Sequence, residues 1–167
     1  TRLQDLSGLP YITIPFDKFP IGMYENDLLK NYENTLQTLS GQKIVNFGTQ
    51  TNTDLKITYG TASLPALTEY EQNFTTLWQT LTAYAGQLFE LGHTDDARTI
   101  LEYGISIGSD LSQNYLLFAK IYQSSGETGR IRELLASAEQ LDSLMKRSIV
   151  EKLTAMLPED TANTPVQ

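Results

Sequence analysis

The stretch "ELGHTDDARTIL" (Glu90–Leu101) holds the only histidine of the chain, His93, beside the acidic pair Asp95 and Asp96. It has a counterpart 34 residues later, "SSGETGRIRELL" (Ser124–Leu135). Aligned without a gap, the two keep Gly92 as Gly126, Thr94 as Thr128, Arg98 as Arg132 and Leu101 as Leu135, while His93, Asp95 and Asp96 become Glu127, Gly129 and Arg130. What recurs is turn chemistry. Glycine stops one helix in the left-handed conformation and threonine caps the next; in the first copy two aspartates face the positive end of a helix dipole. A metal reading would rest on the residues that do not recur, and one His with two adjacent carboxylates falls short of the three or four convergent ligands that zinc or a di-iron centre requires. The stretch therefore reads as a turn between helices.

The register extends outward from the turn. Leu81 meets Tyr115, Tyr84 meets Phe118, Ala85 meets Ala119, Leu88 meets Tyr122 and Gly104 meets Ala138, all at the same offset. Upstream, Leu67, Tyr70, Phe74, Leu77, Trp78, Leu81, Tyr84, Leu88 and Leu91 recur with a period near 3.6, which predicts one long helix. Ser63 and Pro65 supply its start and Gly92 its stop. Four shorter amphipathic helices follow: Asp95 to about Gly108, about Leu111 to Ser125, Gly129 to about Asp142, and Leu144 to Leu157. The links between them are short, so neighbours must pack antiparallel as hairpins. "PEDTANTPVQ" has nothing to bury and reads as a disordered tail over 158–167.

A 34-residue period of two antiparallel helices, with a small residue inside the first helix and glycine at the turn, resembles the tetratricopeptide repeat. The resemblance covers about Trp78 to Ser143, with Leu144 to Leu157 as a capping helix. It departs from the family pattern where Leu81 and Tyr115 take the usual tryptophan position, where Ile131 replaces the small residue supplied by Ala97, and where Ser109 and Ser143 stand in place of proline. The alternative is an unrelated helical bundle. The resemblance implies a mainly α fold, a helix-hairpin array over 67–157. It also implies a concave binding face at Gln79, Thr82, Gly86, Phe89 and Glu90 of the first repeat and Gln113, Leu116, Lys120, Gln123 and Ser124 of the second. That face is amide-rich and unlike the family's Lys/Asn clamp for a C-terminal carboxylate, so an internal or extended segment is the expected ligand.

Residues 1–66 follow a different pattern. "YITIPF" (Tyr11–Phe16), "KIVNFG" (Lys43–Gly48) and "LKITYG" (Leu55–Gly60) are β-branched and aromatic. In the third, Leu55, Ile57 and Tyr59 alternate with Lys56 and Thr58, which predicts strands, the last two joined as a β-hairpin through "TQTNTD". Ile21, Tyr24, Leu28, Tyr32, Leu36 and Leu39 predict a helix closed by Gly41. The expectation is a small α+β extension on a helical array.

Composition narrows the function classes. Twelve basic against twenty acidic residues give a formal charge of −8, which disfavours nucleic acid and anionic membrane surfaces as partners. Without cysteine there is no thiolate, iron–sulfur or zinc-finger chemistry. "SSGETGR" lacks the Lys-Ser/Thr of a phosphate-binding loop, and His93 has no nucleophile motif to serve, so no cofactor, metal or catalytic residue is assigned. No run approaches the roughly 20 apolar residues of a spanning helix. A start at Thr1 rather than Met suggests a removed leader, anchor or upstream domain, and abundant Thr, Asn and Gln lean towards an anchored, extracytoplasmic bacterial protein, the alternative being cytoplasmic. Any membrane contact would then run through a segment missing from this chain.

Three functions compete. The first is a protein-interaction module for a protein or peptide. The second is a structural or oligomerisation element, a possible homo-oligomer, whose N-terminal extension packs into its own groove. The third, an enzyme or a carbohydrate-binding protein whose tyrosines stack on glycans, is the least supported: six of the nine tyrosines fall on apolar stripes, and only Tyr11, Tyr59 and Tyr103 are left without a core role.

Overall fold

The computed structural model describes residues 5–108, 111–141 and 144–158. Seven α-helices follow in order: α1 (Asp27–Ser40), α2 (Asn52–Tyr59), α3 (Leu64–Glu90), α4 (Thr94–Ser106), α5 (Leu111–Ser124), α6 (Thr128–Glu139) and α7 (Lys146–Met156). Among the described residues there is no β-strand, and no helix is long and apolar enough to cross a membrane. The tail 159–167, expected to be disordered, lies outside the described residues.

The chain divides into two compact units, Thr1–Ser109 and Asp110–Gln167. In the first, α3 is the axis, with α1 on it through Leu29, Leu36 and Leu39, and α4 on it through Ala97, Ile100 and Leu101. Leu77, Leu81, Tyr84, Ala85 and Leu88 of α3 are sealed from solvent between them. In the second unit α5, α6 and α7 pack pairwise. Asn114, Tyr115, Phe118, Ala119, Ile121 and Tyr122 of α5, Ile131 and Ala138 of α6, and Ile149 and Leu153 of α7 are buried. The large residue Ile131, a departure from the repeat pattern, is itself buried.

The expected β-hairpin is absent. "KIVNFG" is extended but ladderless, tied down by isolated bonds: Ile12 N–H donates to the Ile44 carbonyl at 2.9 Å and Val45 N–H to the Tyr70 carbonyl at 3.3 Å. "LKITYG" is the body of α2. Thr51 accepts from the Asp54 N–H while the Asp54 carboxylate accepts from the Thr51 N–H, a capping box that starts a helix. Leu55 is buried and Tyr59, four residues on, half-buried, whereas Ile57 is 79% exposed. The spacing that matters is thus four residues rather than two, because Leu55 and Tyr59 share a helix face and Ile57 does not. "YITIPF" forms no strand either, meeting "KIVNFG" through the Ile12–Ile44 bond, and leads into a single 3₁₀ turn at Phe16–Lys18. Val45, Phe47, Leu55 and Leu67 form the local core, with Tyr11, Tyr59 and Tyr70 packed against it.

Two further expectations change. Ser63 precedes α3 but its side chain makes no cap bond, its hydroxyl being buried without a partner. Helix α7 begins at Lys146, so Leu144 and Met145 precede it, and Leu144 is fully exposed rather than part of the buried stripe of Ile149 and Leu153.

Candidate interaction faces and the His93 turn

Both turns of the 34-residue offset close their first helix in the same way. After α3, His93 N–H donates to the Leu88 carbonyl at 2.8 Å and Gly92 N–H to the Phe89 carbonyl at 3.0 Å. After α5, Glu127 N–H donates to the Tyr122 carbonyl at 2.8 Å and Gly126 N–H to the Gln123 carbonyl at 3.2 Å. This crossed pair is the Schellman arrangement, which needs a left-handed residue, and Gly92 and Gly126 supply it with φ of 88° and 73°. The next residues match as well, His93 at φ −88°, ψ 62° and Glu127 at φ −87°, ψ 59°. In neither turn does the threonine cap. Thr94 and Thr128 are the first residues inside their helices, and the residues before them make no side-chain cap bond. Asp95 and Asp96 do lie in the first turn of α4, where their charge opposes the helix dipole.

The side chains of the first turn have a long-range use. The Tyr24 ring lies flat on the His93 ring, with centroids 3.6 Å apart and planes 6° apart. Its hydroxyl donates to Asp96 Oδ2. That bond foremost, then partial desolvation and the nearby Asp96 charge, raise the Tyr24 pKa. One helix away, the carboxylate of Glu33, only 5% exposed, accepts from the Tyr84 hydroxyl at 2.7 Å and from Gly22 N–H at 3.2 Å. Burial first and then the Glu33 bond push the Tyr84 phenol far above its ordinary range. The loop Ile21–Asn26 is thereby fastened at two points, Gly22 on α1 and Tyr24 on the α3–α4 turn. The segment before it runs against α4, since Phe19 meets Tyr103 edge to face at 5.5 Å and the Tyr103 hydroxyl donates to the Thr13 carbonyl.

The remaining tyrosines also have structural roles. The Tyr11 hydroxyl donates to the Leu6 carbonyl at 2.6 Å and its ring meets Tyr70 edge to face, with Lys43 Nζ 5.6 Å from its centroid.

The expected binding residues divide by unit. On α3, Gln79 and Glu90 are exposed and Gly86 half-exposed along one line that continues through Gln72 and Thr76. Phe89 is half-buried, and Thr82 is buried with its hydroxyl on the Trp78 carbonyl at 2.9 Å, so it is turned away from that line. On α5, Gln113, Lys120, Gln123 and Ser124 are exposed and Leu116 half-buried, at three- and four-residue spacing on one face. Among the described residues no three His, Asp or Glu side chains gather as a metal cluster.

No family model, no curated protein and no solved structure matches this chain.

Proposed function

We propose that the chain is a protein-interaction module built from tetratricopeptide-like helix hairpins, with a face for a protein or peptide segment on α3 in the first unit and another on α5 in the second. The observation that carries the reading is the recurrence of one turn, Gly92–Thr94 and Gly126–Thr128, at the 34-residue offset, which joins α3 to α4 and α5 to α6. The uncharged amides Gln72, Gln79, Gln113 and Gln123 on those faces suit a backbone-reading ligand better than an ionic one.

Peptide-display selection against the full chain tests this, followed by titration of the recovered peptides into Gln79→Arg and Gln123→Arg variants. A loss of roughly 10-fold or more in one of the two, with Ile57→Arg unaffected, is the expected result for a peptide held on that helix face. Recovery of no binder, or of binders indifferent to both changes, overturns it.

A second reading, a structural element that covers its own surface, is favoured by the Tyr24 stack on His93 and the Phe19 contact with Tyr103. It expects Tyr24→Ala to uncover the α3–α4 turn and drive association by light scattering. A variant that stays monomeric counts against it.

A further inference from the structure

The loop fastened to the His93 turn holds apolar side chains out into solvent. Met23 is 66% exposed, although its neighbours Gly22 and Tyr24 are both tied down. Leu91, two residues from His93 and at the end of α3, is 41% exposed, and Leu28 in the first turn of α1 is 48% exposed. Met23 precedes Tyr24 and Leu91 lies two residues before His93, so the stack of Tyr24 on His93 holds together the two chain segments that carry them. Exposed apolar side chains held by a fixed backbone lose little entropy on contact, which distinguishes a docking surface from a loose loop.

The charges around them select the partner. Glu25, Asp27, Glu90 and Asp95 are exposed on the same segments, and Asp96 is half-exposed. Lys30 lies 3.7 Å from Glu25, and Arg98 follows on α4, so carboxylates outnumber cations at this end. A second copy of the chain, at −8, would meet this rim with like charge. We propose that the Met23–Leu91 surface docks a basic amphipathic helical segment of another protein, its apolar face on Met23 and Leu91 and its flanking Lys or Arg side chains towards Glu25, Glu90 and Asp95. This surface is separate from the amide-lined faces of α3 and α5 and does not depend on that reading.

The test titrates three fluorescent helical peptides into the full chain at near-physiological salt, where long-range attraction between exposed charges is screened over about 8 Å. One peptide has a leucine face flanked by lysines, one the same leucines flanked by glutamates, and one the same lysines with serine in place of leucine. Saturable binding of the first, at least about 10-fold tighter than either other, is expected of a surface that uses both apolar contact and charge. Met23→Ser and Leu91→Ser should each weaken it about 5-fold or more, and Ile57→Ser, at a more exposed position on α2, should leave it unchanged. Equal binding of the lysine–serine peptide would reduce the effect to general charge attraction and overturn the proposal. So would indifference to Met23→Ser, or self-association of the unliganded chain that Met23→Ser abolishes.

Discussion

The two turns at Gly92 and Gly126 share a backbone and differ in nearly every side chain. At the second, Ser125 Oγ donates to Glu127 Oε2 at 2.8 Å and Arg130 lies over the Tyr122 ring at 5.8 Å, all within a few residues of the turn. At the first, the corresponding positions reach out to Tyr24, about seventy residues upstream in the chain. The comparison separates two jobs. Glycine in the left-handed conformation and the crossed Schellman bonds make the turn; the polar side chains around it are spare, and in one copy they hold an N-terminal loop.

The largest effect should come from the buried anchor of that loop. Tyr84→Phe leaves the Glu33 carboxylate buried with one donor fewer, at a cost of about 1.5–3 kcal/mol by urea denaturation. The second turn has no such anchor, so Phe118, the residue at the matching position on α5, serves as the hydroxyl-free control. Next come the glycines. Gly92→Ala and Gly126→Ala each put a Cβ on a left-handed residue, costing about 1–2 kcal/mol, and the two values should agree if the turns are equivalent. A difference well outside measurement error would break the comparison.

Alkaline pH offers a third test. Native Tyr84 and Tyr24 titrate above the ordinary phenol value of 10.0, so the folded state disfavours the phenolate. Their stabilising contribution is complete below pH 10 and is lost as pH rises beyond it towards the higher native values. Stability should therefore fall above pH 10, and Tyr84→Phe should reduce the slope. An unchanged slope would detach Tyr84 from the effect. A smaller change is expected from His93→Ala, which removes the ring under Tyr24, and the smallest from Glu127→Ala at the matching place, both read as shifts in the urea midpoint.

The helices α3 to α7 were legible because their apolar residues recur every three to four positions and short links leave few ways to connect them. Helix α2 was not, since Leu55, Ile57 and Tyr59 alternate like a strand. Thr51 three residues before Asp54 was the available signal against it, a capping box that outranks three alternating side chains. The caps misled in the other direction. Ser63 and Thr94 have the right chemistry, yet the Ser63 hydroxyl is buried and Thr94 is already inside its helix, because the preceding turn sets where each helix begins. The turn itself was read correctly as a turn. Its contact with Tyr24 has no sequence signal, for no local pattern pairs residues 72 positions apart, and Tyr24 falls on the spacing of a helical stripe although α1 begins only at Asp27.

Hydrogen exchange at two amides tests the separation of turn and loop most directly. His93 N–H and Glu127 N–H occupy the same bond in the two turns, to the Leu88 and Tyr122 carbonyls. If glycine and backbone make the turn, Tyr24→Ala leaves both amides protected while Gly22 N–H, bonded to Glu33, exchanges faster. Loss of protection at His93 with Glu127 unchanged would mean that the Tyr24 contact builds the first turn, and that the two are alike only in outline.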